Sequence, residues 1–400
     1  MKNEVIKRSF YASFSKIFCM ATCIAVTAAF AATSEKFEPD IEFVKQLATM
    51  SYPDVIAKLN QLPPDKNLKY CLIMAKLQSS RNNRTAAMQY CNYALEISQK
   101  NNLEECEIYL IKAFVNDSTT DRLETINNLD KATDCFRKNN DVNSLKVCLS
   151  ATGGILYSYG DFKKSLKAYN EVLQICEETN DILVKAETLF DIGEVYSRIA
   201  DIPNARKSAE QAKIIFEKSG NTKGLADCLK LLGNTCVDDA GKAKKYYVDA
   251  CKLYEETNDH HGLANCCFNL GIMSSGRKEY SDSIDYLNRA LHAYTKAGSV
   301  EGVGIANMEL GRCYFLMKDY DKSEMALNQA CQFLNGVSQF RLAQTKDYQG
   351  DLYTAKGDFA QALDCYKLSV ELYKTTGLGA NIAIEEEKIK NLNNRITGNK

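Results

Sequence analysis

Six glycines stand at nearly equal intervals along the chain: Gly153, Gly193, Gly233, Gly271, Gly311 and Gly350, separated by 40, 40, 38, 40 and 39 residues. Most of them follow an apolar residue, as in Leu232-Gly233, Asn269-Leu270-Gly271 and Glu309-Leu310-Gly311. Eight residues after most of them comes a turn signal: Gly160-Asp161-Phe162, Asp201, Glu279-Tyr280, Asp319-Tyr320 and Gly357-Asp358-Phe359. A second stripe of small residues runs in phase at Ala212, Ala250, Ala290 and Ala330. The segment Glu-Glu-Thr-Asn-Asp occurs twice, at 177–181 and 255–259. A period of this length means an array of supersecondary units, each packing on its neighbours and unable to bury its apolar face alone.

Within one period the apolar spacing is helical. Over residues 182–218, Val184, Leu189, Ile192 and Tyr196 mark one apolar face. Asp201 then offers an N-cap, and Pro203 falls in the first turn of a second helix, where its missing N–H costs nothing. Ala205, Ala209, Ala212, Ile215 and Phe216 form the second face, and Ser219-Gly220-Asn221 supplies a stop. Two helices of about 16 residues with two short turns fill the step, each helix about 24 Å long. Glycine within a helix costs about 1 kcal/mol against alanine, so its recurrence predicts a compensating close approach of the paired helices.

The same phase extends backward through Tyr90-Cys91-Asn92-Tyr93-Ala94, Ala132 and Val172. Upstream, Asp40 to Leu62 reads as two short helices closed by Pro63-Pro64. Downstream, Ile382 to Arg395 reads as a charged amphipathic helix, the polar-faced terminal element that a solenoid needs. The expected organisation is an N-terminal hydrophobic segment over 1–32, N-terminal helices over 33–65, a repeat array over 66–376, and a capping helix and tail over 377–400. The fold class is all-α, with about eight antiparallel helix pairs.

The first 32 residues carry a different message. Lys2, Lys7, Arg8 and Lys16 precede an apolar run from Ile17 to Ala32 that ends in the small-x-small pattern Ala29-Phe30-Ala31. Basic start, apolar middle and small-residue exit describe a secretory signal peptide. The long basic region, interrupted by Glu4, leaves a mitochondrial presequence or an uncleaved anchor open. The expectation is a secreted or periplasmic protein if the segment is cleaved, with no integral membrane association after its removal. A cytoplasmic chain is the alternative. Cysteine usage pulls the other way: of 16, 14 lie beyond this segment, scattered without a CxxC pair and mostly on apolar stripes. There they read mostly as reduced packing residues.

Charge and motif narrow the function. Lys and Arg total 50 against 51 Asp and Glu, which gives no footprint for nucleic acid. The chain has no phosphate-cradling loop and no nucleophile elbow. Asp259-His260-His261 with Cys266-Cys267 lacks the tighter paired spacing of a zinc site. The reading is no cofactor, no metal and no enzyme.

The pattern of Leu189, Ile192-Gly193, Tyr196, Asp201, Ala205 and Ala212, repeated as Leu310-Gly311, Tyr314, Asp319-Tyr320 and Ala330 and as Gly350, Tyr353, Gly357-Asp358-Phe359, Ala362 and Tyr366, resembles the tetratricopeptide repeat family over residues 66–376. The longer step is similar to the kinesin-light-chain-type variants. The chain departs from the family in lacking Trp, in its step, and in lacking a proline at the end of the second helix. The resemblance implies a right-handed superhelical solenoid whose first helices line a concave face. It places there Asp191, Glu194, Arg198, Lys230, Asn234, Asn269, Glu309, Arg312, Asp347 and Asp351. Asparagine side chains suit an extended peptide backbone, and Lys230 and Arg312 suit a carboxylate. Phe190, Phe268, Met308 and Phe315 fit groove or core, with core the simpler reading. The resemblance implies a protein–protein interaction scaffold binding a peptide or helix of a protein partner. The alternative is a peptide-responsive regulatory receptor.

Overall fold

The turns show how the period is enforced. At the end of one helix after another, the chain enters the left-handed region at Asn102, Asn140, Asn180, Gly220, Asn258, Gly298 and Gly336, with φ between 50° and 72°. Asparagine and glycine tolerate this conformation better than other residues. In several of these turns the next residue caps the following helix. The backbone N–H groups of Ser144, Gly224 and Gly262 donate to the side chains of Asp141 (3.0 Å), Asn221 (2.9 Å) and Asp259 (2.8 Å). One residue stops a helix and its neighbour starts another, so the pair Asn-Asp serves as a complete joint.

The computed structural model describes residues 39–81, 83–116, 122–376 and 379–398. These residues form nineteen helices and no strand. Two short helices come first, α1 (Ile41–Leu47) and α2 (Tyr52–Leu59). The longer ones follow: α3 (Pro64–Ser80), α4 (Arg84–Asn101), α5 (Cys106–Asn116), α6 (Arg122–Lys138), α7 (Val142–Ser158), α8 (Phe162–Thr179) and α9 (Ile182–Arg198). They continue with α10 (Ile202–Ser219), α11 (Thr222–Thr235), α12 (Ala240–Glu256), α13 (His260–Gly276) and α14 (Tyr280–Lys296). The last are α15 (Val300–Leu316), α16 (Tyr320–Leu334), α17 (Gln339–Lys356), α18 (Phe359–Thr376) and α19 (Gly379–Gly398). Pro63-Pro64 does close the two short helices, with Pro64 opening α3 as its first residue. Odd-numbered helices from α3 onward are the first helices of the repeat, and even-numbered ones the second.

The chain divides into two compact units, Met1–Asp201 and Ile202–Lys400. The division falls inside one sequence period, where nothing in the sequence marks it. The first unit closes its start with an apolar cluster in which Leu47, Val55 and Leu59 pack with Leu68, Met74 and Tyr90. Cys106 of α5 and Cys135 of α6 are joined by a disulfide, Cα to Cα 5.2 Å, an exception to the reading of the cysteines as mostly reduced packing residues. Among the described residues twelve further cysteines are free thiols, ten of them buried. Cys19, Cys23 and the basic-apolar segment over 1–32 lie outside the described residues. No helix among the described residues is long and apolar enough to cross a membrane.

The phased small residues are the contact points. Ala94, Ala132, Ala212, Ala250, Ala290 and Ala330 are fully buried. A Cβ added to Gly153, Gly233 or Gly350 would lie 2.6, 2.7 or 2.4 Å from the ring of Tyr169, Tyr247 or Tyr366 on the next helix. Leu287 and Leu327 take the ring's place over Gly271 and Gly311. The compensation predicted for a mid-helix glycine is therefore a large side chain seated on bare backbone. Each of three of these glycines also accepts, through its carbonyl, a serine hydroxyl twelve residues on: Ser165 to Gly153 (2.7 Å), Ser283 to Gly271 (2.7 Å) and Ser323 to Gly311 (2.8 Å).

Candidate functional site: the first-helix face

The ten residues singled out in the sequence all lie on first helices, three in the first unit and seven in the second. In the second unit, polar bonds run sideways from one first helix to the next. The Asn269 amide of α13 donates to Asn234 Oδ1 of α11 at 3.2 Å. Arg312 of α15 donates to Ser275 Oγ of α13 at 3.3 Å. Lys388 of α19 donates to Asp351 of α17 at 3.0 Å and also reaches Asp347. Spacing of 35 to 41 residues thus becomes adjacency along one face.

Two cations of this face, Lys230 and Arg312, are held by carboxylates of their own helix. Lys230 is buried and sits 3.3 Å from Asp227. Arg312 Nε donates to Glu309 at 2.7 Å, and that carboxylate pushes the guanidinium pKa further up. Residues three apart face the same way on a helix, so these pairs are locally encoded. A ligand carboxylate at Lys230 or Arg312 therefore meets a cation already paired. Asp347 and Asp351, read as groove residues, are both engaged by α19.

The asparagines are different. Tyr247 of α12 donates its hydroxyl to Asn234 Oδ1 at 2.7 Å, so that oxygen takes two donors. With these bonds made, the Asn234 amide group and the Asn269 carbonyl oxygen have no partner among the described residues. An amide offers two donors and its carbonyl two lone pairs, which match the N–H and C=O of an extended backbone. Both residues are half-buried, which leaves them reachable.

In the first unit, Asp191, Glu194 and Arg198 share α9 and are half-buried, and the Arg198 guanidinium lies 5.8 Å from the ring centre of Tyr157 on α7. Of the apolar candidates, Phe268 and Met308 are core, while Phe190 and Phe315 are half-buried. His261 bonds Asn265 at 3.0 Å and Cys267 faces Cys251 at 3.8 Å, so the two halves of the His-Cys motif look to separate partners. Burial holds the His261 pKa below its usual value.

Sequence reasoning did not foresee that tyrosines of the second helices bond to this face. Tyr254 donates to Asp227 at 2.6 Å, Tyr294 to Asn265 at 2.7 Å and Tyr366 to Asp351 at 2.7 Å. A signal existed: Phe216, Tyr254 and Tyr294 each stand eight residues before a glycine of the next helix, Gly224, Gly262 and Gly302, and each ring covers it.

The tetratricopeptide resemblance holds in the comparisons. A tetratricopeptide repeat model matches residues 306–333 and 349–376, the pairs α15/α16 and α17/α18. No curated protein matches the sequence. Among solved structures, the apo form of RapI is similar at 13% identity and a TM-score of 0.53, covering 83% of this chain and 98% of its own. A Rap protein complexed with Competence and Sporulation Factor is similar at 15% identity and 0.51, over 84% and 100%. A signal transduction ATPase with a tetratricopeptide repeat sensor, from Pyrococcus horikoshii, is similar at 15% identity and 0.53, over 87% of this chain and 54% of its own. At these identities the shared property is the all-helical repeat fold.

Proposed function

We propose that this chain is a non-enzymatic binding scaffold that grips an extended peptide segment of a protein partner on the first-helix face of its second unit. The observation that carries the reading is the Asn234–Asn269 pair, two half-buried amides side by side with one donor group and one acceptor unspent. A row of packed helices holds such groups in place before binding, which lowers the ordering cost on the scaffold side. Paired cations and anions on either side leave the surface without a dominant charge, so backbone contact rather than ligand charge sets affinity. The fold's similarity to a Rap protein complexed with Competence and Sporulation Factor supports a ligand-binding role for this kind of array.

The test is selection of peptides from a random library on the folded chain, followed by titration against wild type and Asn234→Ala/Asn269→Ala. The expected result is a bound peptide whose affinity drops about tenfold or more in the variant, as two backbone hydrogen bonds are lost. Peptides that bind the variant equally well would move the site elsewhere. A library that yields no binder would sink the scaffold reading.

A further inference from the structure

The last helix is held to the array through carboxyl groups in excess of cations. On its apolar side, Leu392 is buried, and Ile389 and Ile396 join Phe359, Ala362, Leu363 and Tyr366 of α18. On its polar side, Glu385 and Lys388 meet α17. Among the described residues, Lys388 is the cation that pairs with the carboxylates of that seam, and it serves both Asp347 and Asp351. Glu385 is 2% exposed, and its Oε2 has no hydrogen-bond partner. Three carboxyl groups, Glu385 buried and Asp347 and Asp351 half-buried, thus stand around one half-buried ammonium. A carboxyl group withdrawn from water beside other carboxylates holds its proton more tightly, and Glu385 is the one so withdrawn.

We infer that Glu385 is a proton-dependent latch: protonated, it lets α19 lie on α17, and ionised, it loosens α19 from the end of the array. The charged and titratable groups facing Glu385 are Asp347 and Asp351 from α17, Tyr373 from α18, and Lys388 on its own helix. Burial, then the charge of Asp347, pushes the Glu385 carboxyl up to about 8. Burial also raises Asp347, in the same direction. Tyr366 donates to Asp351 and sits under Lys388, 5.2 Å from ring centre to Nζ, so the seam's remaining polar groups are already partnered.

The sign follows from where the proton binds more tightly. Glu385 holds it better with α19 docked than released. Docking is therefore fully supported below the ordinary glutamate value of 4.5, weakens as the pH rises toward about 8, and changes no further above that. A shift in this direction raises the released fraction by at least about tenfold between about pH 5.5 and about pH 8. Lifting α19 would bare the apolar strip of α18 and free Asp347 and Asp351. The latch holds whether or not the asparagine pair binds peptide.

The experiment is amide hydrogen exchange of the full chain at about pH 5.5 and about pH 8, with each rate divided by its intrinsic value, for wild type and Glu385→Gln. Glutamine keeps the shape and a donor but does not titrate. The expected result is a loss of at least about tenfold in protection of the α19 amides of wild type across that interval, with a markedly smaller loss in the variant. Equal losses in the two proteins would overturn the latch. A carbon-13 titration of the Glu385 carboxyl in wild type decides the matter even if the variant fails to fold. A midpoint well above the ordinary range supports the latch, and one near 4.5 refutes it.

Discussion

The two compact units are built on one repeat and hold their neighbours together differently. In the first, the joints are individual: a disulfide ties α5 to α6, a buried ammonium joins Lys146 to Asp181 at 2.5 Å, and a guanidinium lies on Tyr157. In the second, one device recurs that the first unit also shows where Tyr169 covers Gly153. Phe216, Tyr254 and Tyr294 cover Gly224, Gly262 and Gly302, and Tyr247, Leu287, Leu327 and Tyr366 cover Gly233, Gly271, Gly311 and Gly350. Tyr254 and Tyr294 also bond a polar residue on the preceding first helix. Ring, glycine and hydroxyl form a rung used repeatedly. A period can thus be kept by repeating one contact or by substituting unlike contacts of similar strength. The repeated rung is the version that lines up polar side chains from helix to helix.

The largest effect that would test this contrast is Tyr254→Ala. Tyr254 is fully buried, covers Gly262 and donates to Asp227. Its truncation leaves a cavity and an unpaired carboxylate, and about 3–5 kcal/mol of stability should go in urea unfolding. The burial and the Asp227 contact hold its phenol pKa well above the usual value, so it stays a donor through neutral pH. The counterpart in the first unit is Cys106→Ser. Opening the bridge between Cys106 and Cys135, 29 residues apart, should cost about 3 kcal/mol. If Cys106→Ser costs nothing while the same unit still unfolds cooperatively, the staple is not what holds α5 to α6.

Much of this was legible beforehand, and the reason is local. The glycine and alanine phases are set by what a helix presents every 3.6 residues, so Gly233, Ala250 and Asp319 announced a packing face, a small contact and a cap. The fold class, the terminal helix and the turn positions followed. Partners 29 to 41 residues away did not. Nothing near Cys106 names Cys135, and nothing near Lys388 names Asp347. Periodicity says which face a side chain occupies and leaves open which neighbour it finds there. That is why all ten candidate residues fell on first helices, yet Lys230 and Arg312 proved to be paired with Asp227 and Glu309. Asn234 and Asn269 stand out only once their hydrogen bonds are assigned.

A smaller effect separates two reasons for keeping glycine. At Gly262 a methyl group would meet the Tyr254 ring at 2.3 Å. Gly262→Ala should therefore destabilise by about 1–3 kcal/mol through overpacking, in spite of the helix propensity that alanine gains. At Gly160 φ is +76° and nothing lies within 4 Å, so alanine there meets only backbone strain, about 1 kcal/mol. Adding Tyr254→Phe should leave the Gly262→Ala penalty in place, since the ring still occupies the space. Adding Tyr254→Leu should relieve part of it. A Gly262→Ala chain as stable as wild type would show that the ring yields easily, and the rung would lose its claim to set the spacing of the second unit.

The smallest effect concerns what the units share. Ser165 in the first and Ser323 in the second are both fully buried, and each donates to a first-helix glycine carbonyl, at 2.7 and 2.8 Å. That carbonyl also belongs to the helix ladder, so Ser→Ala removes a donor without stranding a buried acceptor. Each substitution should cost about 1 kcal/mol, the net worth of one hydrogen bond. The two costs should agree within a few tenths, because the sites make the same bond in different units and share no partner. Urea midpoints at constant slope give both numbers. Equal costs would mean that the serine–glycine bond is the common grammar of the repeat, with disulfide and tyrosine rung as local additions. A negligible cost at Ser165 with a full one at Ser323 would mean that the first unit has transferred this job to its individual joints.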